Sequence, residues 1–159
     1  MRTRFARMTL MLGLAGMLAA CGGGPVRRVS EPTAQVQQLT VRADGRWEVE
    51  LRLQNYSSVP MRFDRLRLAM TVAGEAAGTL TAAPALTIGP ESADVVSVPL
   101  MPTGAAKLAV ADALASQRGV PYALDGEIVA TPDKGSDRSF EVKRKSALSP
   151  APGLPGVLR

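Results

Sequence analysis

The sequence predicts an all-β protein with one short helix, folded as a β-sandwich. Two observations carry this. In "RWEVELRLQN", Trp47, Val49, Leu51 and Leu53 alternate with Arg46, Glu48, Glu50, Arg52 and Gln54, a period of two that gives a strand one buried and one wet face. Further short alternating runs follow at regular intervals with turn signals between them, the pattern of two packed sheets. Of the whole chain, 46% is hydrophobic, enough to fold. Roughly 115 residues between a Gly-rich stretch and a Pro-rich tail suffice for one domain with one core.

Each element can be justified in order. Val36, Leu39 and Val41 mark a first strand with a break in phase, and Ala43-Asp44-Gly45 carries the Asp-Gly signal of a hairpin turn. A hairpin over about 34–54 results. After the Asn55 to Pro60 loop, Leu66, Leu68, Met70 and Val72 alternate with Arg65, Arg67 and Thr71, while Met61 and Phe63 sit in the opposite phase. A bulge near Asp64 reconciles the two halves, because one extra residue switches the face. Ala73-Gly74-Glu75 turns into a short strand near Ala76 to Leu80, and Ile88-Gly89-Pro90 punctuates the chain before a strand carrying Val95, Val96, Val98 and Leu100.

From Ala105 to Arg118 alanine dominates. Leu108, Ala111, Leu114 and Ala115 fall at helical spacing there, and Gly119 stands where a C-terminal cap belongs. Tyr122, Leu124, Gly126 and Ile128 then form another strand, Thr131 to Asp137 a polar turn, and Phe140 and Val142 the last strand.

The N-terminus reads as an address. Arg2, Arg4 and Arg7 precede an uncharged run from Met8 to Ala20. This is shorter than the roughly 20 apolar residues a spanning helix needs and has the layout of a secretory signal. Leu18-Ala19-Ala20-Cys21 resembles the bacterial lipobox, in which the cysteine sulfur is acylated and the chain is cut just before it. Residues 1–20 are therefore expected to be a lipoprotein signal peptide and Cys21, the only cysteine of the chain, the lipidated residue. A lone thiol has no partner for a disulfide, and acylation removes its reactivity in an oxidising compartment. Gly22 to about Pro32 reads as a flexible tether. With Gly22 rather than Asp after the cysteine, sorting to the outer membrane, facing the periplasm, is expected.

Chemistry-bearing residues are sparse. The chain has no histidine, which removes His-based triads, imidazole bases and His-containing metal sites. Glu48 and Glu50 share one strand face, as i and i+2 positions must, and read as a solvated face balanced by Arg46 and Arg52. Asp133 and Asp137 lie in a Gly- and Ser-containing loop without the ligand spacing of a calcium loop. "GEAAG" lies between strands and so lacks the context of a phosphate loop. No catalytic residue, cofactor site, metal site or small-molecule substrate emerges.

Without the leader and its three arginines, 16 basic and 14 acidic side chains remain, and such a balance argues against nucleic acid as partner. Lys143, Arg144 and Lys145 form the one basic run, a candidate contact with membrane head groups or a protein partner. The domain is placed at 33–145. The tail over 146–159, "SALSPAPGLPGVLR", is expected to be extended and mobile, or to dock on a partner.

The order of these pieces resembles a known family. A strand ending in "LRLQN", "RLRLAMTVAG", the "IGPES" turn before "VVSVPL", and a late "YALDG" recur in order in the WHy domain of the late embryogenesis abundant type 2 proteins, over about Val36 to Val142. Asn55 fits the family's Asn-Pro-Asn, and Tyr56 and Ser57 stand at the next two positions. The resemblance implies an immunoglobulin- or fibronectin-III-like sandwich without a catalytic centre, associated with desiccation and other stress. A non-catalytic protective lipoprotein of the envelope is the expected function. The alternative is an accessory module of an envelope protein complex, docking through a strand edge or the tail.

Overall fold

The structure, a computed structural model, describes residues 26–159; Cys21 and the predicted signal peptide lie outside the described residues. Among the described residues nine strands and one helix follow in order: β1 (Thr33–Val41), β2 (Trp47–Gln54), β3 (Met61–Val72), β4 (Glu75–Ala82), β5 (Leu86–Ile88), β6 (Ala93–Leu100), α1 (Gly104–Ala115), β7 (Val120–Pro132), β8 (Arg138–Leu148) and β9 (Val157–Leu158). They form two antiparallel sheets, one ordered β6-β2-β1-β9 and the other β4-β3-β7-β8, with β5 pairing β3 beside β4. This is the all-β sandwich with one short helix that the alternation predicts.

The core sits between the sheets. Trp47, Val49, Leu51 and Leu53 from β2 face Met61, Phe63, Leu66, Leu68 and Met70 from β3, all buried. The two phase breaks expected from the sequence are both present, as register shifts between Val36 and Gln38 in β1 and between Phe63 and Arg65 in β3. Between β1 and β2, the Arg46 carbonyl accepts from the Arg42 N–H at 2.8 Å and the Arg42 carbonyl from the Gly45 N–H at 2.9 Å. Gly126, on β7, faces Leu68. A Cβ there would lie 2.1 Å from the Arg67 carbonyl oxygen, so only glycine allows β7 and β3 to approach this closely.

Helix α1 corrects the sequence reading in two respects. It ends at Ala115 with Ser116 as its cap, and the left-handed residue after it is Gln117 rather than Gly119. Its buried residues are Ala106, Val110 and Ala113, while Leu108 is 74% exposed. A helix that is half alanine carries little directional signal; here Ala106, Val110 and Ala113 face inward and Leu108 is left outside. At its start the Thr103 hydroxyl accepts from the Ala106 N–H at 3.3 Å and donates to the Ala76 carbonyl at 2.6 Å, tying the helix to β4.

Both flanking segments also differ from expectation. The tail over 146–159 is not free: residues 146–148 continue β8, and Val157–Leu158 pair with Leu39 and Thr40 on the edge of β1. Ser149 and Arg159 exchange both backbone hydrogen bonds, and Leu158 is fully buried. Gly153 and Gly156 adopt left-handed conformations, so the glycines here turn the chain back instead of loosening it. The described part of the tether is held as well. The Ser30 N–H donates to the Ser57 hydroxyl at 3.0 Å and the Arg28 N–H to the Ser58 hydroxyl at 2.8 Å.

Candidate functional site

Two places on the sandwich concentrate polar groups. The first is the end at which the N-terminal segment attaches, built from the β2–β3, β5–β6 and β7–β8 loops. Asn55 is fully buried there. Its amide nitrogen donates toward the carbonyls of Val59 (2.9 Å), Ile88 (3.1 Å) and Gly89 (2.9 Å), and its side-chain oxygen accepts from the Ser57 N–H at 2.8 Å. Ser57, also fully buried, in turn grips Ser30. Arg28 reaches the Tyr56 carbonyl at 3.2 Å and the Glu91 carboxylate at 3.0 Å, and Arg27 donates to the Asp133 carbonyl. Asn55 is thus a structural hub: truncating it would leave several buried carbonyls without a donor.

The second place is the outer face of β3. Arg62 points outward before the bulge. The extra residue at Asp64 reverses the phase so that Arg65 and Arg67 point outward after it, while Leu66 and Leu68 remain inside. Asp64 accepts from the Arg62 guanidinium at 2.6 Å and from the Thr131 hydroxyl at 2.6 Å. The Thr131 hydrogen bond, reinforced by Arg62, holds its carboxyl below the usual carboxylate range. Arg62 is thereby neutralised. Arg65 and Arg67 form no ion pair among the described residues, although Glu127 is the cross-strand partner of Arg67. The Glu127 carboxylate accepts from the Ser139 hydroxyl at 2.7 Å, on the β8 side.

Beside these two arginines lies a notch. β4 pairs with β3 from Leu66 onward and β5 with Met61 to Phe63, so Asp64 and Arg65 have no partner on that side. The chain leaves the sheet at Ala83 and returns at Leu86, opening a groove of about 420 Å³ in which Arg65 and Arg67 stand beside Glu127, with Leu66, Thr81, Ala82, Ala83 and Val129 completing the walls. The sequence reading did not single these residues out. The signal was there in the three arginines that flank the phase break.

The predicted site residues are placed as follows. Lys143, Arg144 and Lys145 lie on β8, an edge strand, and are all exposed. Strand geometry separates them: Lys143 and Lys145 pair with Asp125 and Ala123 on the outer face, while Arg144 turns toward the other sheet and donates to the Gln35 side chain at 3.2 Å. Lys143 contacts the Glu141 carboxylate at 2.5 Å, which raises its pKa. Glu48 is balanced by Arg42 and by the Ser97 hydroxyl at 2.7 Å, whereas Arg46 pairs with Asp44 at 2.9 Å. Among the described residues no three His, Cys, Asp or Glu side chains converge on a metal-sized site, and no helix is long and apolar enough to cross a membrane.

Comparison with known proteins gives the following. No curated protein matches the chain. Among solved structures, a solution structure described as a late embryogenesis abundant (LEA) protein is 15% identical, covers 95% of this chain and 87% of its own, and superposes with a TM-score of 0.49. A solution structure from Arabidopsis thaliana is 14% identical, with coverages of 81% and 84% and a TM-score of 0.44. A crystal structure from Archaeoglobus fulgidus is 13% identical, covering 78% of this chain and 98% of its own at a TM-score of 0.45. The LEA_2 family model, Late embryogenesis abundant protein, matches residues 50–144, which run from β2 into β8. On that match, the chain belongs to the LEA_2 family of late embryogenesis abundant proteins.

Proposed function

We propose that this is a non-catalytic lipoprotein of the bacterial cell envelope, anchored by acylated Cys21 in the outer membrane and facing the periplasm, that protects the envelope during desiccation or related stress. The observation that carries the reading is the family match over 50–144, which spans most of the sandwich. The lipobox-like Leu18-Ala19-Ala20-Cys21 supports the location. The attachment of Arg28 and Ser30 to the β2–β3 loop supports it further. Five peptide units from Cys21 to Val26 reach about 18 Å at most, so an anchor at Cys21 holds the loop end of the sandwich next to the bilayer.

In the same reading Lys143 and Lys145, on the outer face of β8, are within reach of anionic head groups, each contributing about 1 kcal/mol near such a surface. Arg144, engaged with Gln35, serves the sandwich itself. The alternative is an accessory module of an envelope complex, docking through a strand edge or through the tail, whose Val157–Leu158 pair with β1. The test is a deletion strain complemented with the wild-type or the Cys21→Ser chain. Broad sensitivity to drying, rescued by the wild-type chain only, is expected. Failure of one envelope assembly with normal survival of drying would instead establish the accessory role.

A further inference from the structure

The end of the sandwich that receives the N-terminal segment carries two exposed apolar side chains on neighbouring stretches of chain. Residues 26–28 run alongside residues 56–58. The Ser58 hydroxyl donates to the Val26 carbonyl at 3.0 Å, the Ser58 N–H to the Arg28 carbonyl at 3.0 Å, and the Arg28 guanidinium to the Tyr56 carbonyl at 3.2 Å. Val26 is 84% exposed and Tyr56 49%. Both are thus fixed at the point where the chain from Cys21 enters, on a loop held by the buried Asn55 and Ser57.

Single exposed apolar residues are ordinary on a protein surface, and among the described residues Val95, Met101, Leu108 and Leu154 are exposed as well. Val95 lies on the outer face of its sheet, opposite Arg52. Met101 and Leu108, at α1, and Leu154, in the tail, lie at the opposite end, separated from Tyr56 by the 13-residue length of β7, about 40 Å. What sets Val26 and Tyr56 apart is the tether. Five peptide units reach about 18 Å at most, so acyl groups on Cys21 bring this end to a bilayer and not the helix end.

Charge does not select an anionic surface here. In residues 26–32 and the three loops of this end, Arg27, Arg28 and Lys134 stand against Glu31, Glu91, Asp133 and Asp137, and Arg28 pairs with Glu91. A tyrosine joins an apolar ring to a hydroxyl and suits the boundary between water and hydrocarbon whatever the head group.

We propose that this end seats in the interface of the bilayer that holds Cys21, with the Tyr56 ring and the Val26 side chain among the glycerol groups and the helix end pointing away from the membrane. The seating rests on acylation of Cys21 and goes beyond it in naming the surface that meets lipid. The test uses the full acylated chain carrying Tyr56→Cys or, as the control, Leu108→Cys. It is placed in vesicles of phosphatidylcholine alone, where attraction of Lys143 and Lys145 to anionic head groups plays no part. Acylated Cys21, the only native cysteine, has no thiol, so an environment-sensitive fluorophore attaches only at the introduced one. Mass spectrometry of the purified chain reports acylation separately.

With phosphatidylcholine carrying a nitroxide near the glycerol, the label at 56 is expected to lose at least half its fluorescence and the label at 108 less than a tenth. Adding Val26→Glu to the Tyr56→Cys chain is expected to halve the quenching at 56. Equal quenching at 56 and 108, an acylated chain unquenched at 56, or no change on adding Val26→Glu overturns the seating and leaves the anchor intact. A purified chain without acyl groups overturns the anchor and the seating with it.

Discussion

The phenolic oxygen of Tyr122 on β7 accepts a hydrogen bond from the backbone N–H of Val36 on β1, 3.1 Å away across the sandwich. Both residues are buried, and Val36 sits where the β1–β2 register slips. The slip leaves Gln37 without a register partner, and beside it the tyrosine satisfies the buried Val36 N–H. Tyr122→Phe removes only the acceptor. It is expected to cost about 1–3 kcal/mol, the penalty for a buried unsatisfied N–H, read from urea denaturation. A loss below about 0.3 kcal/mol would mean that water replaces the phenol.

The tail gives a second prediction. Leu158 is fully buried against the edge of β1, the Gly156 carbonyl accepts from the Val41 N–H at 2.8 Å, and Arg159 reaches the Gln38 side chain at 2.8 Å. Because Ser149 pairs with Arg159 just past the end of β8, the tail bridges the two sheets along their shared border. Leu158→Ala is expected to cost about 2–5 kcal/mol, and ending the chain at Ser149 to lower the melting temperature by at least about 5 °C. Coincident melts of the truncated and complete chains would contradict the docking.

Asp64 makes a pH-dependent contribution. Its carboxyl titrates lower in the folded chain because Thr131 and then Arg62 stabilise the ionised form. Between the folded and unfolded pKa values the unfolded chain binds more protons, so stability rises with pH across that window. The contribution is complete above the unfolded value near 3.9 and is lost as pH falls through the folded one. Asp64→Asn is therefore expected to be less stable than wild type by about 0.5–1.5 kcal/mol at pH 7, with the gap closing toward pH 2. A gap that is constant over this range would mean that the ionised form gains nothing from Thr131 and Arg62.

The strands were legible because alternation over seven or more residues has one physical explanation, a half-buried strand. Trp47 to Gln54 and Leu66 to Val72 show it directly, and even the bulge at Asp64 was readable as a change of phase. The three-residue β5 was not, because Leu86–Ile88 is too short to display a period. The face of α1 was not, because alanine supplies no contrast. The tail misled because Pro and Gly signal turns and disorder alike, and only the β1 edge it pairs with, far away in sequence, decides between them. The β3 groove was half legible: the arginines and the bulge are local, but the gap between β4 and β5, the pairing of Asp64 with Thr131 and the placing of Glu127 in the groove are tertiary.

The central claim, that the sandwich is held at an envelope membrane through Cys21, is tested most directly by metabolic labelling of cells with radioactive palmitate. The wild-type chain is expected to carry the label in the membrane fraction. Cys21→Ser is expected to carry none, because acylation needs the sulfur, and to accumulate as an uncut precursor. Equal labelling of the two chains, or an unlabelled wild-type chain, would contradict the account.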